Sequence, residues 1–413
     1  MTKHKVVVKN LPLETLCSLA VEHGYTHIWV HPSAGIDIVE GSDLLSEEWD
    51  NPFFNYQFKT GAPNNHLVSL HARKKLPNNK KSHNILVTFL AYSSWHWQDL
   101  TPEKILELVH LLEEKLGVPL GSPSTTGMRY VQHVVTKHHP KRIARPSADL
   151  SQFNFTAALV WDREPTPEEL SCKYIYCLDK NSSYPRVGVA EKFGVGEPEH
   201  FGPRAFDPKL PGMWRIDVIH SPDLDERLPH LLHKLAGRQW LPTAIVKLLI
   251  SKGCIVEVKE AIAFEKAEFV FKDSIDTLWK LRCGYAKGTP ERDAFKNVMN
   301  SLVGSTAAAF DSWKNRPDWY TQFVSCARAV VYYNMYKIAE KDAMYPILCL
   351  TDSLVYLSNE ETPELAVPSM LLSPNSLGGY KCEFRLEVTD EVRAILTSKL
   401  SPGMKIHALK GGE

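Results

Sequence analysis

Two aspartates stand where alternating apolar segments stop. Asp179 follows residues 174–178 (YIYCL), and Asp352 follows residues 346–350 after one threonine. Alternation with period two reads as a strand, so both carboxylates are expected at strand ends, with Asp352 near the tip of a β-hairpin completed by residues 354–357. Carboxylate oxygens suit a hard cation. Two such groups on one sheet could share two Mg²⁺ ions about 3.5–4 Å apart, the usual arrangement for in-line phosphoryl transfer. Taken singly, each aspartate reads more simply as a polar turn residue.

Two further groups could complete such a site. Tyr184 lies five residues beyond Asp179 and against Pro185, where its ring could floor a pocket beside a cation. In KNVMNSLVG (296–304), Lys296 and Asn300 are four apart and share one helix face, while Val298, Met299 and Leu302 point into packing. A lysine ammonium is a point charge suited to a triphosphate. Ser301 and Gly304 are expected to end that helix. Alone, the segment reads as a helix terminus with a solvated lysine.

The surrounding pattern supplies elements to position these groups. Residues 1–145 read as an α/β unit: a strand at Val6–Val8, a helix from Leu13 to His23, and strands at 27–30 and 84–92. Thr101-Pro102-Glu103 opens a helix with Ile105, Leu108, Val109 and Leu112 on its apolar face, closed by Gly117. Beyond residue 150 come strands at 155–161, 174–178 and 214–219, a short helix after Pro242, and strands after Gly253. Helices at 273–287 and 291–302, joined at Gly288-Thr289-Pro290, form an antiparallel pair. A long helix is expected over 322–340.

Composition bounds the class. The 413 residues suffice for two or three domains, with 44% hydrophobic and 23% charged residues. Lys+Arg and Asp+Glu are 48 each, so any basic surface must be local. No apolar run is long enough to span a membrane, and the N-terminus lacks a signal-peptide pattern. The eight cysteines form no C-x-x-C pair and read as buried thiols of a cytoplasmic protein, arguing against zinc.

In order and together, the three segments resemble the family B DNA polymerases. DKNSSYP (179–185) matches the palm motif D-x-x-S-x-Y-P. KNVMNSLVG matches the fingers motif K-x-x-x-N-S-x-Y-G with Val303 in place of Tyr. LTDS (350–353) resembles D-T-D-S, and CARAVVYYNMY precedes it as a helix. LGGYKCE (377–383) resembles L-G-x-x-K-x-E, and Lys405-Ile406-His407 resembles K-x-Y with His for Tyr. The resemblance covers roughly 155–410, more weakly over 186–290, and does not extend to 1–150.

The resemblance implies an α/β (α+β) chain: an antiparallel polymerase palm, short two-helix fingers and an N-terminal α/β domain. The expected divisions are 1–150, an N-terminal domain of unknown role; 151–220, the first palm part; 221–310, insertion and fingers; and 311–413, the second palm part, with little or no thumb before Glu413. It implies a template-directed DNA polymerase without proofreading, of the compact phage or mobile-element kind. Asp179 and Asp352 would bind Mg²⁺, with Mn²⁺ as substitute. Lys296 would contact the incoming dNTP, Asn300 would line its pocket, and Tyr184 would exclude a 2′-hydroxyl. Backbone amides from Asn181 to Ser183, Ser182 included, would touch phosphates. Arg282 and Lys280 are weaker triphosphate candidates. Lys405 and Lys381 would hold the primer or DNA. Primer-template DNA is the implied partner, with a priming or thumb-supplying protein as a further one. Leu350 stands where the family has an aspartate. That leaves a silent, nucleic-acid-binding scaffold or regulator as the alternative, and makes Asp179 the most sensitive position. Leu350 is also expected to share a strand face with Asp352 and either to raise its pKa or to loosen the second metal.

Remaining features carry less. Asp37-Ile38-Val39-Glu40 superficially resembles the exonuclease D-x-E but is spaced one residue too long, with no partner motifs. Residues 137–146 (KHHPKRIARP) read as a basic linker able to touch a phosphate backbone, with His138-His139 lacking spaced metal partners. Lys74, Lys75, Lys80 and Lys81 read as an exposed loop. Trp95-His96-Trp97 could stack a base but reads better as a core cluster, and His230 and His233 read as packing or surface groups.

Overall fold

The computed structural model describes residues 2–9, 11, 13–34, 54–61, 66–74, 84–138, 145–307, 315–370 and 372–411. It divides into two compact units, one of Met1–Val134 with Thr277–Leu302, the other of Val135–Asp276 with Val303–Glu413. Asp37–Glu40, Lys75, Lys80, Lys81 and His139 lie outside the described residues.

The first unit holds a five-stranded sheet. Its strands are β1 (His4–Val7), β2 (His27–Val30), β3 (Phe54–Gly61), β4 (His66–Lys74) and β5 (Asn84–Phe89), in the spatial order β1-β2-β5-β4-β3. β1, β2 and β5 run parallel, and β3–β4–β5 is an antiparallel meander. Helix α1 (Leu13–His23) links β1 to β2. β5 is shorter than its apolar run suggests, because residues 90–92 turn into a 3₁₀ segment.

Helices α2 (Pro102–Leu116) and α3 (Pro123–His138) follow. The α2 cap forms as the sequence predicts: the Thr101 side chain accepts from the Lys104 N–H, and Gly117 closes the helix at φ 65°. Ile105, Leu108, Val109 and Leu112 are its buried face. Trp95 and Trp97 are buried and stacked 4.5 Å apart, and Trp95 Nε1 donates to the Gly121 carbonyl. They are core, not a base-stacking surface.

The antiparallel helix pair, Lys272–Cys283 and Pro290–Ser305, contributes residues 277–302 to this unit. Phe295, Val298, Met299 and Leu302 are buried there. Gly127 of α3 permits close approach: a Cβ would meet the Val298 carbonyl at 2.9 Å. Lys104 pairs with Glu291 at 2.6 Å, and Asn297 Nδ2 donates to the Trp95 carbonyl. The second helix of the pair runs on to Ser305, so Gly304 lies at its end as expected, while Ser301 is still inside it.

The second unit is built on a fully antiparallel sheet of β6 (Val160–Asp162), β7 (Tyr174–Lys180), β8 (Leu348–Leu350), β9 (Ser353–Ser358) and β10 (Tyr380–Glu387), ordered β10-β7-β9-β8-β6. Helix α4 (Ser183–Ala190) leaves the end of β7, and α5 (Pro317–Asp342) precedes β8. The expected long helix thus begins earlier, at a proline suited to a helix start. α6 (Asp390–Thr397) and α7 (Pro402–Leu409) close the unit.

Alternation assigns the two sheet faces. Tyr176, Leu178, Leu354 and Tyr356 pack in one core with Val331, Tyr332, Met335 and Ile338 of α5. Ile175, Cys177, Val355 and Leu357 pack with Val392, Leu396, Ile406 and Leu409 of the last two helices. A second antiparallel sheet, with strands at Trp240–Pro242, Gly212–His220, Ile255–Ala263 and Glu199–Phe201 in that order, fills the insertion. The His230 and His233 carbonyls accept from Tyr332 Oη and buried Arg328; His233 Nε2 meets the Val160 carbonyl, while His230 is a surface residue.

Candidate active site

The palm sheet brings the two aspartates to adjacent strand ends. In the register, Ser353 stands directly opposite Asp179 and also opposite Leu350; Lys381 faces Asp179 from the other side. The Ser353 hydroxyl donates to Asp179 Oδ1 at 2.9 Å, and Lys381 Nζ lies 3.0 Å from Asp179 Oδ2. Asp352 belongs to the two-residue loop Thr351-Asp352 between β8 and β9. Thr351 adopts φ 61°, a conformation uncommon for a β-branched residue, and its N–H donates to the Leu159 carbonyl.

Leu350 shares a face with Ser353 and Asp179, since directly paired residues point the same way. It packs with the Ile175–Cys177 side of the sheet. The expected common face of Leu350 and Asp352 is not found, because Asp352 has left the strand for the turn. The Asp352 carboxyl is nonetheless raised, to about 7, by burial and then by the negative charge of Asp179.

Two carboxyl groups that repel when both are ionised, one of them raised by burial, form a donor set that a divalent cation would relieve. Among the described residues no cluster of three or more His, Cys, Asp or Glu is arranged for a metal. Two carboxylates nevertheless fit Mg²⁺, which keeps several waters and takes substrate phosphates as further ligands.

Tyr184 sits in the first turn of α4, half-buried against the α5-side core. Burial, with the nearby Asp352 charge second, pushes its hydroxyl up to about 12, so it stays a neutral phenol beside the carboxylate. Ser182 caps α4 at φ 53°, and Ser183 is buried. The Asn181 N–H does not point to an open site: it donates to the Gly379 carbonyl at 2.9 Å, while Asn181 Nδ2 donates to the Pro374 carbonyl.

In the first unit, Lys296 and Asn300 are exposed on one side of their helix, opposite buried Val298 and Met299, as their spacing predicts. Lys280 is exposed as well. Arg282 differs from the expectation. It is buried, with its guanidinium 5.0 Å from the Trp279 ring centroid, and burial followed by Arg292 lowers its pKa. Three-residue spacing in a helix places a long side chain over the preceding turn, and here that turn carries an indole.

The two candidate DNA-binding lysines also differ. Lys381 is partly exposed but engaged with Asp179. Lys405 is buried in helix α7, pairing with Asp162 of β6 at 2.8 Å. The Lys-Ile-His segment is helical, capped by Ser401, and turns its lysine toward the sheet edge rather than outward.

Sequence reading missed Ser353 as the partner of Asp179 and Lys180 as a neighbour of Asp352. Lys180 is buried with its ammonium 5.6 Å from the Tyr380 ring centroid; burial, then Arg186, lowers its pKa to about 8. Ser353 was visible as the last letter of the LTDS motif, but its bond depends on a register between strands 174 residues apart.

Residues 160–316 match the family model described as DNA polymerase type B, organellar and viral. Among solved structures, Phi29 DNA polymerase complexed with single-stranded DNA is similar with TM-score 0.59 at 16% identity, over 91% of this chain and 78% of that one. The Phi29 ternary complex with primer-template DNA and incoming nucleotide substrates gives 0.60 at 15% identity over the same shares. At such identities the likeness is one of fold. No curated protein matches the sequence significantly.

Proposed function

We propose that this chain is a type B, DNA-directed DNA polymerase, a reading supported by the family match over residues 160–316, and that it extends a primer 3′-hydroxyl by two-metal phosphoryl transfer from dNTPs. The observation that carries the mechanism is the placing of Asp179 and Asp352 at adjacent strand ends, close enough that one charge raises the pKa of the other. Bound Mg²⁺ would supply charge neutralisation at the α-phosphate and at the leaving pyrophosphate. The 3′-oxygen forms the new bond to the α-phosphorus as the bond to the β-phosphate oxygen breaks. The hydroxyl proton leaves to solvent.

The chain's own groups divide the remaining work. Asp179, oriented by Ser353, and Asp352 would hold the metals. Tyr184, neutral and wedged in the first turn of α4, would close the space a 2′-hydroxyl needs. Exposed Lys296 would neutralise the triphosphate, and Asn300 would line the nucleotide pocket. Ser182 and Ser183, at the α4 start, would approach phosphate through the backbone. DNA primer-template and dNTPs are the partners this reading requires, and they are those in the Phi29 complexes. A priming or thumb-supplying protein is a further proposed partner. Buried Lys405 is not assigned a role on DNA. The reading includes the absence of 3′–5′ exonuclease activity, since no partner motifs accompany Asp37 and Glu40. No helix among the described residues is long and apolar enough to cross a membrane.

Leu350 favours one competing reading, a catalytically silent nucleic-acid-binding relative. Primer extension in Mg²⁺ or Mn²⁺, with Asp179→Ala alongside, separates the two. Incorporation by the wild type that Asp179→Ala abolishes supports the polymerase; no incorporation under either metal, with DNA still bound, supports the scaffold. Shortening of 3′-labelled DNA without dNTPs would refute the exonuclease part alone.

A further inference from the structure

A cavity of about 460 Å³ opens in the second unit, lined by Lys180, Arg186, Asn334, Lys337, Ser373 and Tyr380 together with the glycine loop at 378–379. Among the described residues no aspartate or glutamate lines it. Three cations therefore share a small space, whose walls also carry Val330, Ile338, Met370 and Leu377, with no described carboxylate on them. Lys180 is buried and Arg186 exposed, and neither forms an ion pair with a described carboxylate, although the Asp352 charge reaches Lys180 and partly offsets burial and Arg186. Lys337, on α5, donates only to the Ser369 carbonyl, at 3.0 Å. Like charges gathered in a partly desolvated space repel unless an anion offsets them.

The cavity is built rather than incidental. Gly378 holds φ +77°, and a Cβ there would meet Arg186 Cγ at 2.4 Å, so the bare backbone lets the arginine stem lie against the loop. Gly379 is as tight, since a Cβ would meet the Ser373 carbonyl at 2.1 Å. Asn181 fastens the loop: its carbonyl accepts from the Gly378 N–H at 2.7 Å and its N–H donates to Gly379. Asn334 Nδ2 donates to Tyr380 Oη at 3.1 Å, fixing the ring over which Lys180 lies. Backbone and side chains thus hold the Lys180 and Arg186 cations toward one space.

We propose that this cavity binds a phosphate group, carried either by a nucleic-acid strand or by a free polyphosphate such as a nucleotide tail. Guanidinium and ammonium groups are the usual phosphate partners, the first by paired hydrogen bonds and the second as point charges. Serine hydroxyls at 373 and 376, 2.6 Å apart at the rim, add donors. The cavity adjoins the Asp179–Asp352 pair through Lys180, but neither aspartate lines it. It rests on charge and shape, so it stands or falls apart from the polymerase chemistry.

The test uses the full chain in EDTA, so that metal-mediated phosphate binding is absent. Tripolyphosphate is titrated by calorimetry, and a fluorescein-labelled single-stranded oligonucleotide by anisotropy over a range of salt. The variant is Arg186→Gln/Lys337→Gln, at two exposed positions, with thermal melting as the folding control. Arg186→Glu serves as a second variant if the double one melts early. A tenfold or greater loss of tripolyphosphate affinity, retained in Lys296→Ala, identifies a free-polyphosphate site. Weaker oligonucleotide binding, with the salt slope shallower by about 1.4 for two lost contacts, identifies a strand phosphate. Unchanged affinity for both probes in the folded variants overturns the proposal, as does tripolyphosphate binding that Lys296→Ala alone removes while the oligonucleotide is unaffected.

Discussion

Lys381 Nζ lies 3.0 Å from Asp179 Oδ2, directly across the pairing of β7 with β10. A cation thus already neutralises the carboxylate that would hold a metal, and Ser353 takes its other oxygen. Any divalent ion must share or displace that ammonium. Lys381→Met is therefore expected to lower the Mg²⁺ concentration for half-maximal primer extension by about threefold, the scale of a partly exposed ion pair. A higher Mg²⁺ requirement would instead place Lys381 on substrate or DNA.

Asp179→Ala removes both the metal ligand and the partner of Lys381. The loss in kcat should be about 10³-fold, equivalent to several kcal/mol of charge stabilisation. Melting temperature and oligonucleotide affinity should stay close to wild type, because Asp179 is at a strand end outside the apolar core. A tenfold loss or less would mean that Asp179 is not a principal metal ligand.

Leu350→Asp tests the departure from the family pattern. The side chain shares a face with Asp179 and is half-buried against the Ile175–Cys177 side. A carboxylate there adds an oxygen donor but forfeits apolar burial of about 1.5–3 kcal/mol. The expected outcome is a lower melting temperature together with a lower Mg²⁺ requirement. Loss of stability without any change in metal dependence would show that position 350 does not face the metals.

Tyr184→Ala opens the first turn of α4 beside Asp352. Ribonucleotide incorporation relative to dNTP incorporation should rise roughly tenfold or more, measured as a ratio of kcat/KM values. An unchanged ratio would remove Tyr184 from the sugar-discriminating role while leaving the carboxylate assignment intact.

What the sequence made legible were local properties. Alternation in YIYCL and ILCL puts Asp179 at a strand end and Asp352 just past one, and four-residue spacing puts Lys296 and Asn300 on one exposed helix face. What it hid were partners set by distant pairing. Lys405 reads as a primer-holding lysine until Asp162, 243 residues away, lies 2.8 Å from it. The Asn181 amide reads as a phosphate donor until a glycine loop about 200 residues on takes it. Arg282 reads as an outward cation until the indole one turn earlier covers it. In each case hydrogen-bonding capacity was readable, but not which group would satisfy it, because that choice belongs to tertiary register.

Gly188 gives a stability test independent of catalysis. It lies in α4, two residues before the helix ends, and is buried where that helix crosses the aromatic cluster of Phe193, Phe271 and Phe323. A Cβ at Gly188 would meet Ile275 Cδ1 at 2.4 Å, Phe323 Cε1 at 3.1 Å and Phe271 Cβ at 3.2 Å. Helix propensity favours alanine over glycine by about 1 kcal/mol, so on an exposed helix the change would stabilise. Here overpacking of about 1–3 kcal/mol opposes it, and the isoleucine tip alone can swing aside cheaply; the Phe271 backbone-proximal carbon cannot. Gly188→Ala is therefore expected to destabilise by up to about 2 kcal/mol, read as a lower denaturation midpoint with an unchanged m-value. Because α4 begins with Ser183 and Tyr184, a shift of the helix away from the cluster should also raise ribonucleotide incorporation. Stabilisation by the alanine would show that the cluster yields freely and that α4 is not held by it.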